Sequence, residues 1–283
     1  MIGSHVAIGK DLTSCCDKAA SRGMGAIQVF LGSPYSPKRK TLGEKDKKLK
    51  EIPINIFSHL PYVYNLAGSV KNNKIAWHGD KETDEYIGEC LKSIDYELDL
   101  LSNIKCSCKG CVLHIGSCKD KSTGLLAVAE SINKLQFNPG DAPLLLETMV
   151  GNGGVLGNSF EDLAVVYNKV ENKDRVGICI DTCHVFASGA YNLSKISEID
   201  HMFTDFDNYF PHDKCKLIHL NDSQVAFGES KDRHELITQG EIWKEDDSSL
   251  LHLLRRCKDR NIPVVLETSE EDFTNLQFIY KRI

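Results

Sequence analysis

The chain has 283 residues, of which 41% are hydrophobic, 8% aromatic and 26% charged, an ordinary globular composition long enough to bury a large core without disulfides. A formal net charge of −6 gives bulk electrostatics no reason to favour nucleic acid. No run approaches the ~18 consecutive apolar residues of a membrane span. Met1-Ile2-Gly3-Ser4-His5 opens without the basic and long apolar regions of a signal peptide. Eleven cysteines, an odd number, fit free thiols in a reducing intracellular compartment, cytoplasm or nucleus, better than a secreted disulfide framework.

Short apolar, β-branched segments recur in chain order as Ile2–Ile8, Ala26–Leu31, Ile54–Leu60, Cys111–Ile115, Pro143–Thr148, Val176–Thr182, Lys216–Leu220 and Pro263–Thr268. Their near-continuous hydrophobicity suits parallel strands buried on both faces. Helical stripes lie between them. After the third strand Ile87, Leu91, Ile94, Leu98 and Leu101 repeat at three- and four-residue steps through Glu82–Leu101. Leu125, Ala129, Ile132 and Leu135 follow the fourth strand, the region Ile196–Phe210 the sixth, and Leu250, Leu251, Leu254 and Cys257 the seventh. Eight βα units without a Pro/Gly/Ser-rich linker predict one closed (β/α)8 TIM barrel, a single α/β domain over residues 1–283. An open doubly wound sheet is the alternative with a similar rhythm.

In such a barrel chemistry collects at the C-terminal ends of the strands. The third strand ends in His59, and the fourth carries His114. Glu147 follows on the fifth, Asp181 with His184 on the sixth, and His219 on the seventh. The next loop supplies Asp232 and His234, and the eighth strand ends in Glu267. Any one of these has an ordinary reading, as a hydrogen-bonded core histidine or a solvated cap. Six consecutive strands that each present such a group do not, because buried ionisable groups need partners. Five imidazoles and four carboxylates suit zinc, manganese or iron over magnesium or calcium. If one or two carboxylates bridge, nine groups can hold three ions. Clustered metals of this kind hydrolyse phosphate esters, and three divalent ions reverse the sign of the local charge, so a phosphate backbone can bind despite the acidic chain.

The stretches HLPYVYNLA (His59–Ala67), GICIDTCHVFASG (Gly177–Gly189) and HLNDSQVAFGESKDRH (His219–His234) resemble the endonuclease IV family of apurinic/apyrimidinic (AP) endonucleases. QVFLGSP at Gln28, VLHIGS around His114, LLLET at Glu147 and VVLET at Glu267 extend the likeness over nearly the whole chain. The resemblance implies a barrel with three zinc ions. It would cut double-stranded DNA on the 5′ side of an abasic site, leaving a 3′-hydroxyl and a 5′-deoxyribose phosphate. Removal of blocking groups from 3′ ends is implied as well. Carried over, His59, His114 and Glu147 hold one zinc. Glu147, Asp181, His219 and Glu267 hold the second, and His184, Asp232 and His234 the third. Glu147 and Glu267 are the catalytic carboxylates, and Tyr62, Asn65 and Arg233 touch DNA. A monomer without membrane attachment is expected.

Two stretches depart from the family pattern. Where family members carry Asn-Pro-Arg, with an Arg that inserts into DNA, this chain has Ser33-Pro34-Tyr35, which makes Tyr35 a candidate stacking residue. After DRH the chain reads Glu235-Leu236-Ile237-Thr238-Gln239-Gly240 instead of a Gly-rich loop. Cys106, Cys108, Cys111 and Cys118 read as surface thiols in a loop, since Cys-x-Cys-x2-Cys is not a standard zinc spacing. Cys15-Cys16 reads as inert. The run Lys38–Lys50 is either a solvated helix start or a contact to the DNA backbone. Two rival functions are a divalent-metal sugar isomerase or epimerase on a related barrel, which relies on carboxylates and few histidines, and a non-catalytic lesion-binding protein, which would not need Glu147 or Glu267.

Overall fold

The computed structural model describes residues 1–36, 54–71, 74–76, 81–104, 107–137, 140, 142–267 and 273–282. Eight strands form a closed barrel: β1 (Ile2–His5), β2 (Ala26–Val29), β3 (Asn55–His59), β4 (Ser107–Leu113), β5 (Leu144–Glu147), β6 (Val176–Asp181), β7 (Cys215–His219) and β8 (Val264–Leu266). Each pairs in parallel with the next. β8 closes on β1 through Ile2↔Val264, Gly3↔Val265 and Ser4↔Leu266, which excludes the open sheet. All eight predicted strands form. Each stops one to three residues before its apolar run ends, because the last residues turn into the loops that carry the site.

The helices α1 (Leu12–Ser21), α2 (Lys81–Ser102), α3 (Lys121–Asn133), α4 (Phe160–Lys169), α5 (Thr182–Ala187), α6 (Ile196–Tyr209), α7 (Ser248–Asp259) and α8 (Phe273–Tyr280) lie between and after the strands. Asp11, Asp120 and Ser159 cap α1, α3 and α4 by accepting a backbone N–H of the first turn. The predicted stripes of α2 and α3 are buried. On α7 the buried set is Leu250, Leu253, Leu254 and Cys257, with Leu251 only half-buried, a correction of one position to the predicted stripe. Lys38–Lys50 lies outside the described residues.

Two cysteine readings change. β4 begins at Ser107, four residues before the predicted Cys111, so Cys111 is a fully buried strand residue and Cys118 is buried in the following loop, not surface thiols. Cys106 and the side chain of Cys108 lie outside the described residues. Cys15 and Cys16 are buried on α1. Among the described residues nine cysteines are buried, and no helix is long and apolar enough to cross a membrane.

The barrel interior explains why the polar residues converge. Alternate strand residues point inward. Ala26, Phe57, Val112, Leu145, Cys179, Leu217 and Val265, one from each of β2 to β8, form a fully buried inner cluster. Two residues further on along the same strands come Gln28, His59, His114, Glu147, Asp181, His219 and Glu267. On β1, Gly3 pairs with Ala26 and Val265 at the inner level, and His5 follows two residues later. An apolar plug thus supports a ring of eight polar side chains at the C-terminal mouth.

The loop after β7 is held by one carboxylate. Asp222 accepts backbone N–H groups from Ser223, Thr238, Gly240 and Ile242 at 2.8, 3.0, 3.2 and 2.9 Å. A Cβ on Gly240 would lie 2.4 Å from the Ser223 carbonyl oxygen, so this loop closes only on glycine. Asp222→Ala would strand four donors, and a loss of about 3 kcal/mol is expected by urea unfolding. An unchanged midpoint would show that solvent replaces the carboxylate without penalty.

Candidate metal centre

Glu147 is the hub. It is fully buried, and its two oxygens face different imidazoles. Oε2 lies 2.9 Å from His114 Nε2 and 3.3 Å from His59 Nε2, while Oε1 lies 2.8 Å from His219 Nδ1. His59 Nδ1 donates to the Leu60 carbonyl at 2.7 Å, which turns Nε2 toward Glu147. His219 Nδ1 also lies 3.3 Å from Glu267 and 3.8 Å from Asp181, and the Cys179 thiol of β6 touches the same imidazole from below.

A second group sits beside this hub. Asp181 caps α5 by accepting the His184 N–H at 2.8 Å, so the sharp strand-to-helix turn itself delivers His184 to the site. His184 Nδ1 donates to the Thr148 carbonyl at 2.8 Å, and Nε2 faces Asp232 at 3.3 Å. His234, on the short ribbon formed by Asp222–Ser223 and His234–Glu235, places Nε2 3.2 Å from the other Asp232 oxygen. Asp232 is half-exposed and straddles the two imidazoles.

The donor set fits metal ions. Glu147 Oε2, His184 Nε2 and His234 Nε2 are buried and make no hydrogen bond, yet each has another ligand atom within 2.9–3.3 Å. Ligand atoms turned on one another without hydrogen bonds are satisfied by shared cations. Ligand atoms of His59, His114 and Glu147 lie within 4.8 Å of one another, as do those of Glu147, Asp181, His219 and Glu267. Asp181 also lies within 4.8 Å of His184 and His234, and the Cys183 thiol within 4.8 Å of Asp232 and His234, two neighbours that spacing alone had not grouped there.

The charges couple strongly. Burial works to raise Glu147, but His219 and His114 outweigh it and hold the carboxyl well below its usual range. Burial likewise opposes ionisation of Glu267, which His219 and His234 hold at about 2. Asp232 is lowered against burial by His184 and His234. Asp181 goes the other way, raised chiefly by burial. Burial favours neutral imidazoles, yet Asp181 and Asp232 push His184 up to about 10, Cys179 with Glu267 and Glu147 raises His219, and Asp181 with Asp232 raises His234. At neutral pH the metal-free His184 thus holds a proton that a cation must displace. Uptake of a metal ion is therefore expected to release protons, and affinity to fall as the pH drops from about 8 to 5. Calorimetry in buffers of different ionisation enthalpy checks both.

Two ring members, Gln28 and His5, and a neighbour of the ring, Asn221, escaped the sequence reading. Gln28 donates to Glu267 Oε1 at 2.7 Å and accepts from His219 Nε2 at 2.8 Å. His5 lies 3.2 Å from Gln28 Nε2. Asn221 donates to Asp181 at 2.6 Å and to Glu267 at 3.0 Å, joining two carboxylates. The i, i+2 alternation that places the ligands also marks Gln28 and His5.

The expected DNA-contact residues divide. Tyr35 is 75% exposed, its ring 6.0 Å from that of Tyr62. Tyr62 packs at 5.1 Å on both His59 and His114 and is 42% exposed, so an aromatic ladder leads from solvent to the metal site. Arg233 is exposed beside Asp232, its guanidinium bonded to the Asp232 carbonyl at 2.8 Å. Asn65 instead turns inward. It accepts from Ala67 and Ser117 N–H groups and donates to the Ser117 carbonyl, all at 3.1 Å, clasping the loops after β3 and β4. Gly116 has φ +113, and a Cβ there would sit 2.1 Å from Asn65 Oδ1.

Residues 16–281 match the family model described as a xylose isomerase-like TIM barrel. A protein of Methanosphaera stadtmanae named probable endonuclease 4 is 31% identical over 294 aligned positions, covering 99% of each chain. Among solved structures, endonuclease IV from Thermus thermophilus superposes with a TM-score of 0.79 over 99% of this chain and 98% of its own, at 22% identity. A D-tagatose 3-epimerase-like protein superposes at 0.69 over 99% and 96%, at 16% identity, and so shares the barrel.

Proposed function

The chain belongs to the endonuclease IV family, and from that premise we propose that it is a zinc-dependent DNA-repair nuclease. It cuts the phosphodiester 5′ to an abasic site, leaving a 3′-hydroxyl and a 5′-deoxyribose phosphate, and also clears phosphate-bearing blocks from 3′ ends. One domain, residues 1–283, performs the reaction. The observation that carries this reading is Glu147, a buried carboxylate whose oxygens face separate imidazole groups, next to ligand atoms that have no hydrogen bond. Five imidazoles in the set speak against a carboxylate-based sugar isomerase.

Three zinc ions fit these donors. His59, His114 and Glu147 would hold one, Glu147, Asp181, His219 and Glu267 the second, and His184, Asp232 and His234 the third. When bound, such ions lower the pKa of water and neutralise charge on phosphate oxygens. The protein's own groups do the rest. Glu147 keeps two sites in register. Glu267, ionised at neutral pH and only 10% exposed, orients the attacking water at the mouth of the barrel. Arg233 meets a backbone phosphate, and the apolar plug below excludes bulk water. Removal of metal by a strong chelator, followed by zinc return, should abolish and then restore incision of an abasic duplex. Full incision by metal-free protein would refute the reading.

Tyr35 and Tyr62 form the face that meets the damaged helix. A nucleotide drawn toward the metals leaves a gap in the stack, and an exposed ring at Tyr35 fills it by stacking, worth roughly 1–3 kcal/mol. Tyr35→Ala is therefore expected to weaken abasic-duplex affinity about 5- to 100-fold, with zinc content unchanged. Tyr35→Phe should be nearly silent. Equal affinity of the alanine variant in an anisotropy titration would make Tyr35 a mere loop residue.

A further inference from the structure

Gln28 touches two of the proposed metal ligands and one further histidine, and the chemistry of its neighbours leaves its carboxamide a single orientation. The Glu267 carboxylate only accepts hydrogen bonds, so the Gln28 atom 2.7 Å from it is the nitrogen. The oxygen then faces His219 Nε2 at 2.8 Å, and that nitrogen must carry a hydrogen. The second Gln28 N–H points to His5 Nδ1 at 3.2 Å. His219 is thereby left with Nδ1 as its ligand atom, and Nδ1 is the nitrogen that faces Glu147, Asp181 and Glu267. Gln28 and His219 are fully buried and Glu267 is 10% exposed, so the contact between Gln28 and His219 is shielded from solvent.

We propose that Gln28, steadied by His5, is a positioning residue that fixes the tautomer of His219 and the orientation of Glu267, and so tunes one metal position of the three. This rests on the reading that Glu147, Asp181, His219 and Glu267 hold a metal. A carboxamide at this place is suited to the task because it donates to the carboxylate and accepts from the imidazole at once. Leucine does neither. Glutamate keeps an acceptor for His219 but loses both donors.

The test titrates zinc into metal-free wild type, Gln28→Leu and Gln28→Glu proteins against a chromophoric chelator, with long-range 1H–15N spectra of the histidines taken before zinc is added and again after. Gln28→Leu should weaken one of three zinc ions by about 10- to 100-fold and leave the other two unchanged. Before zinc is added, its His219 signals should show a loss of the single Nε2–H form. Gln28→Glu should keep that form while binding the same ion more weakly than wild type, which also guards against a leucine variant that fails to fold. Unchanged affinity for all ions and an unchanged His219 tautomer in Gln28→Leu would overturn the inference and leave the metal reading intact. A wild type that takes up no zinc at His219 would overturn the metal reading first.

Discussion

Glu147→Ala should disable the protein more completely than any other single substitution, lowering incision at an abasic site by at least about 1,000-fold. Among the described residues no other carboxylate joins the His59–His114 pair to His219 within 4 Å. His59 and His114 meet only Oε2, and His219 meets Oε1. Without Glu147 the first group has two imidazoles and no negative charge, and the second loses its link to the first. Elemental analysis of the variant should therefore show a deficit of more than one zinc per chain. Glu147→Asp is expected to fall nearly as far, because a side chain shorter by one methylene withdraws from one group or the other. Wild-type zinc content in Glu147→Ala would mean that Glu147 is not a bridging ligand.

Glu267→Gln should separate binding from turnover. The substitution keeps shape but replaces one oxygen by an NH2 group, and both Glu267 oxygens already receive a hydrogen bond, from Gln28 and from Asn221. One of those donors must lose its acceptor, and the negative charge proposed to orient water at the mouth is gone. Affinity for abasic DNA is expected to stay within a few-fold, while single-turnover incision falls by about 100- to 1,000-fold. A near-normal single-turnover rate would remove Glu267 from the chemistry.

Much of this site was legible from residue types and spacing because two rules overlap in a barrel. Strand ends carry function, and every second strand residue points inward. Those rules put His59, His114, Glu147, Asp181, His219 and Glu267 on six neighbouring strands at one level. What stayed hidden has physical causes. Gln28 and Asn221 are uncharged, so neither raises the problem of an unpaired buried ion that drew notice to the ligands. Asn65 sits a few residues past His59 in a stretch that resembles a DNA-contact loop, but only the fold shows its carboxamide closed on Ser117. Cys118 reads as a surface thiol because no strand or helix period marks the loop after β4 that buries it. On α7, Leu250, Leu251, Leu253 and Leu254 are too closely spaced for periodicity alone to choose the buried face.

The most direct measurement is incision of a duplex carrying one abasic site by purified protein without added magnesium, with both new ends identified by mass spectrometry and zinc counted in the same sample. A nuclease of the proposed kind yields a 3′-hydroxyl and a 5′-deoxyribose phosphate, with about three zinc ions per active chain. An intact duplex after exposure to fully zinc-loaded protein would contradict it, as would a break on the 3′ side of the lesion.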